Sequence, residues 1–119
     1  MRVYIVWLLL CLSCSSLKKS DAFQNHCNEN LNFKERFFYH IGNIDNNISV
    51  AQDAKFIESV IFISNYAPVS LDQIMNYSRT YPIGVYEKDR LNWFNWYEEN
   101  KCKNIQFKSS YVIPEVYKN

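Results

Sequence analysis

Glycine and proline are scarce in this chain, at 2 and 3 of 119 residues. Two glycines cannot build the glycine-rich loops that cradle phosphates, and no Gly-x-Ser-x-Gly turn presents a nucleophile. A collagen-like or low-complexity chain is excluded as well. An excess of one charge is also missing, because 13 Lys plus Arg face 12 Asp plus Glu. A dedicated nucleic-acid binder needs a basic surface to neutralise phosphates, so nucleic acid is not an expected partner. Histidine is limited to His26 and His40. Together with Cys27 and Cys102 they fit no metal-ligand spacing: there is no Cys-x-x-Cys, His-x-x-x-His or His-Glu-x-x-His. No metal and no cofactor is expected. Glu98 and Glu99 are adjacent, so on a helix they point apart rather than face each other across a cleft. No nucleophile, base and orienting acid can be read together. The chain reads as a non-enzyme.

A long apolar run is missing too. The longest, Val3 to Leu12, falls short of the roughly 20 residues that cross a bilayer core. It follows one cation, Arg2, and precedes small residues. That order is the n-region, h-region and cleavage site of a secretory signal. Leu12-Ser13-Cys14-Ser15-Ser16 resembles the lipobox of a bacterial lipoprotein, in the loose form common in Bacteroidetes. The resemblance implies lipidation of Cys14, with Cys11, after Leu8-Leu9-Leu10, as a rival position. Lipid on a cysteine is a physical anchor, since each buried methylene contributes about 0.8 kcal/mol to partition. The expected organisation is a lipoprotein-type signal peptide over 1–13, a polar tether over 14–22 and a single domain over 23–119. An ordinary soluble secreted protein, cut near Ser16, is the alternative.

Four cysteines are present, and removal of the signal takes Cys11 with it. If Cys14 carries lipid, Cys27 and Cys102 remain as one pair in a compartment where disulfides persist. Closure of so long a loop contributes about 4 kcal/mol in the chain-entropy account.

Apolar spacing predicts helices. Leu31, Phe37, Phe38 and Ile41 mark a first helix over 28–41, with Gly42-Asn43 as its stop. Ser49-Val50-Ala51-Gln52 has the pattern of a capping box and predicts a second helix over about 50–66. Its run Val60-Ile61-Phe62-Ile63 is apolar all round, which predicts a central helix covered by its neighbours. Ser70-Leu71-Asp72-Gln73 repeats the pattern and predicts a short third helix, ended by Pro82. Asp89 can cap a fourth, to about Lys101. The tail holds Ile105, Phe107, Tyr111, Val112 and Ile113 around Lys108-Ser109-Ser110, the pattern of a small hairpin or extended strand. The expected fold is all-α, a small bundle of about four helices with room for a short C-terminal hairpin; α+β is the alternative.

Trp93, Trp96 and Tyr97 share a face of the last helix. Their rings either fill the core, as a domain this small requires, or form a binding surface for protein or sugar. The capped helix with Phe56-Ile57, then Tyr81-Pro82, then Trp93-x-x-Trp96-Tyr97-Glu98-Glu99-Asn100-Lys101, resembles small Bacteroidetes lipoproteins usually described as hypothetical proteins. The resemblance implies an exported, lipid-anchored helical domain and carries no activity. The expected function is non-enzymatic binding of an unknown protein partner in the cell envelope, as an immunity-type or accessory protein facing the periplasm or exterior. A carbohydrate or cell-wall binding module using exposed tryptophans is the alternative.

Overall fold

The computed structural model describes residues 27–118. The signal peptide, the tether, Cys11 and Cys14 lie outside the described residues. The described residues are all-α, with three helices among them: α1 (Leu31–Asp45), α2 (Ala54–Ser64) and α3 (Ile83–Asn100), followed by a 3₁₀ turn, Glu115–Tyr117.

Helix α1 starts where Asn30 caps it, its side chain accepting from the N–H groups of Asn32 and Phe33. It runs past Gly42, the expected stop, because Ile44 still has core to bury into. Phe33, Phe37, Ile41 and Ile44 recur at helical spacing and are all buried. Helix α2 starts at Ala54, several residues later than expected. Asp53, not Ser49, is the cap, and its Oδ1 accepts from Phe56 N–H at 2.8 Å. The capping box does not form because Gln52 is drawn elsewhere. Its side chain donates to the Ile74 carbonyl at 2.6 Å and accepts from the Tyr117 hydroxyl at 2.6 Å. One glutamine thus ties the loop before α3 to the C-terminal turn.

The expected third helix is instead a run of turns. Ser70 does not cap; its N–H and hydroxyl both donate to Asp89, at 2.9 and 2.7 Å. Further on, the Asn76 side-chain oxygen accepts from Ser78 and Thr80 N–H groups, and Arg79 takes a left-handed φ of 59°. A short polar side chain here offers the backbone an alternative to helix. The helix expected from Asp89 begins instead after Pro82, whose φ of −62° suits a helix start. Asp89 is therefore mid-helix and 2% exposed, with Tyr81 hydroxyl as a third donor at 2.5 Å. Burial, with that bond to Asp89, drives the Tyr81 phenol well above its ordinary pKa.

The terminal hairpin is likewise corrected. No strand forms among the described residues. The chain from 104 to 114 is an extended strap, and Asn65 takes both main-chain groups of Val112: it accepts from the N–H at 2.9 Å and donates to the carbonyl at 3.0 Å. A side chain has occupied the ladder that a second strand would need. At the other end, Cys27 and Cys102 have their sulfurs 1.99 Å apart, with an isolated parallel bridge between Asn28 and Lys103 beside them. Asn30 extends this junction by donating to the Ile105 carbonyl at 2.7 Å.

These caps make opposite predictions. Asp53→Ala will cost about 1 kcal/mol in urea unfolding, the ordinary value of a lost cap. Ser49→Ala, at an exposed position with no bond to lose, will stay within about 0.5 kcal/mol.

Candidate functional site

Trp93, Trp96 and Tyr97, read from the sequence as either core or binding surface, pack into or against the core. Trp93 is 0% and Tyr97 2% exposed, while Trp96 is half-buried against the core. Trp93 donates its indole N–H to the Pro68 carbonyl at 2.7 Å, fixing the loop that precedes α3. Tyr97 stacks on Phe37 at 5.6 Å and donates its hydroxyl to Glu29. Burial, with the bond to Glu29, raises its pKa. The physical reason is size: a domain this small needs its largest side chains inside.

What lies open is the face between α1 and α2. Helix α2 is not covered all round. Ile57 and Ile61 are only half-buried, and with exposed Ala54 they form an apolar stripe at i, i+3 and i+7. Arg36 and His40 stand opposite on α1, one turn apart. Glu58 borders the stripe, Phe62 closes the floor, and Tyr111 of the strap shuts one end. Together these residues line a cavity of about 440 Å³ that is half open to solvent. That volume lies within the range of small-ligand and side-chain pockets.

The polar centre of this groove is His40. It is 5% exposed, and its ring stacks on Phe62 with centroids 4.3 Å apart. Its Nδ1 lies 2.8 Å from the Ser59 hydroxyl, to which Asn43 Nδ2 also donates at 3.0 Å. Burial first, then the neighbouring Arg36 charge, lowers the His40 pKa from 6.5 to about 4. The imidazole is therefore neutral at pH 7. Ser59 and His40 have the spacing of a nucleophile and its base, but Ser59 is 0% exposed. Its hydroxyl has no path to an incoming carbonyl, and the pair acts as a fixed polar plug between two helices.

Other surfaces are simpler. On α3, Arg90 pairs with Asp45 at 2.9 and 3.2 Å and lies 4.6 Å from the Phe94 ring, beside exposed Leu91. Among the described residues no three His, Cys, Asp or Glu side chains gather where they could hold a metal. No described helix is long and apolar enough to cross a membrane. Comparison with protein-family models, curated proteins and solved structures finds no match.

Sequence reasoning missed the groove. The available signals were faint: His40 and Asn43 at i and i+3 on α1, and a lone serine at 59 just before the most apolar stretch of the chain.

A neutral buried histidine links stability to pH. The unfolded chain takes up a proton near pH 6.5, and the native state resists until about pH 4. Stability due to this group is therefore complete above 6.5 and lost as pH falls toward 4. One pKa unit is about 1.4 kcal/mol; allowing for screening at the groove mouth, the loss is about 2 kcal/mol. Urea unfolding across that window will show the loss in the native sequence and a loss smaller by that amount in His40→Gln.

Proposed function

We propose that this chain is an exported, lipid-anchored, non-enzymatic domain that binds another macromolecule at the cell envelope, as an immunity-type or accessory protein. The observation that carries the reading is the pairing of Cys27 with Cys102. Removal of residues 1–13 takes Cys11, and lipid on Cys14 uses a second thiol. The two cysteines that remain are the two whose sulfurs meet. Disulfides of this kind persist in oxidising compartments, which favours an exported domain. The signal-like start, Arg2 followed by Val3 to Leu12, favours the same route.

The open groove between α1 and α2 favours binding as the activity. It is apolar in its walls, has a few convergent polar groups and includes a residue of displaced pKa, the attributes of a recognition site. The sealed Ser59 gives no support to hydrolytic chemistry there. A sugar-binding module needs exposed flat rings, and Trp93 and Tyr97 are not exposed.

Intact mass of the mature protein from its native membranes tests this reading. The expected species begins at Cys14, carries acyl chains, and shows no alkylatable thiol until reductant is added. A bare N-terminus near Leu17 would overturn the anchor. A Cys27 or Cys102 that alkylates without reduction would overturn the oxidising compartment.

A further inference from the structure

The groove opens onto the buried His40–Ser59 pair. The Ser59 hydroxyl meets two groups, the Asn43 amide N–H and His40 Nδ1. The first is itself a donor, so the hydroxyl proton is used only in the tautomer in which Nδ1 accepts it, and we infer that tautomer. With Nδ1 accepting, the neutral His40 ring carries its own proton on Nε2. Among the described residues no acceptor meets Nε2. None of their buried side-chain nitrogens or oxygens lacks a partner, so Nε2 reaches water, and the groove that His40 lines is its opening. In that tautomer the serine holds the ring in place and the histidine presents an N–H to the groove.

Arg36 stands one turn away on the same face of α1, at i and i+4 from His40. Its guanidinium lies 5.7 Å from the centroid of the Phe107 ring and forms no ion pair among the described residues. Arg36 and His40 both line the groove, and a cation and a neutral N–H that converge there are complementary to a single carboxylate. Glu58, on the opposite wall, opposes a multiply charged anion such as phosphate. It is also an acceptor, as a main-chain N–H would need. Between these polar ends lie Ile57, Ile61 and Phe62, which suit one apolar side chain. The groove is half open rather than enclosed, so an incoming chain can continue into solvent.

We propose that the α1–α2 groove captures the free C-terminal carboxylate of a partner polypeptide whose last residue is apolar. The carboxylate accepts from His40 Nε2 and pairs with Arg36. The terminal side chain packs on Ile57 and Ile61, and a main-chain N–H of the peptide donates to Glu58. Capture of a chain end is an established mode of peptide recognition. The proposal rests on the binding role assigned to this groove, and not on the lipid anchor.

The test is titration of the isotope-labelled, disulfide-intact chain with an N-acetylated pentapeptide ending in leucine, followed by NMR. Two arms use the same peptide as free acid and as C-terminal amide; a third uses decanoate. The free acid is expected to shift the His40 ring and the Ile57 and Ile61 methyls saturably, with the amide at least about tenfold weaker. Arg36→Met, at an exposed position that leaves the His40–Ser59 pair in place, is expected to weaken the acid by about tenfold, the usual scale of one charge-assisted bond. Equal binding of acid and amide would overturn the proposal. So would an absence of saturable shifts, shifts confined to the Leu91–Phe94 face, or binding of decanoate without the peptide. Each of these results leaves the mass measurement untouched, so failure of the groove and failure of the anchor are distinguishable.

Discussion

Phe37 lies 5.6 Å from the Tyr97 ring and 5.4 Å from Trp96, and this contact holds α3 to α1. Phe33 extends it to Phe62 at 6.2 Å and Tyr66 at 4.9 Å, so one aromatic layer joins all three helices. Tyr97 then reaches Glu29, and the Cys27–Cys102 pair closes the same corner a few residues further on. A second ring cluster, Trp93 with Tyr81 and Tyr86, fixes the far side of α3 and the loop that Asp89 gathers. Aromatic pairs contribute about 0.5–1.5 kcal/mol each beyond their burial, so removing the central ring disturbs several at once. With one layer of rings carrying so much of the packing, the tryptophans have no freedom to serve as a surface.

The groove follows from the same economy. Helix α2 turns Phe56, Val60 and Ile63 inward, and among the described residues no fourth helix covers Ile57 and Ile61. The segment expected to be that helix is tied down as turns by Ser70, Asn76 and Gln52. The strap covers only the Phe62 end, through Tyr111. What remains is an apolar stripe facing Arg36 and His40. Ser59 explains why a histidine is tolerated there: its bond satisfies one ring nitrogen, and the groove lets the other reach water. The buried ring stays neutral because its charged form would lose hydration beside the Arg36 cation.

Much of this was legible in the sequence. Apolar residues at helical spacing located all three helices, and cysteine arithmetic located the Cys27–Cys102 pair. The misses were local and share a cause. Ser49, Ser70 and Asp89 each matched a cap pattern, and each has a competing role or a better rival: Asp53 caps α2, while Asp89 and Ser70 bind each other. Gln52 left its box for partners 22 and 65 positions away, which no window of neighbouring residues can register. Val112 was read as half of a hairpin because an asparagine side chain, unlike a strand, leaves no periodic trace. His40 escaped because its role depends on Ser59, 19 positions on and on another helix.

The tryptophan face is core, and the α1–α2 face is the one left open. Fluorescence of a Trp96→Phe variant of residues 15–119, in which Trp93 is the one tryptophan left, tests this most directly. The account predicts blue-shifted emission that iodide does not quench. Red-shifted emission quenched as strongly as a free indole would place Trp93 in solvent and contradict the account.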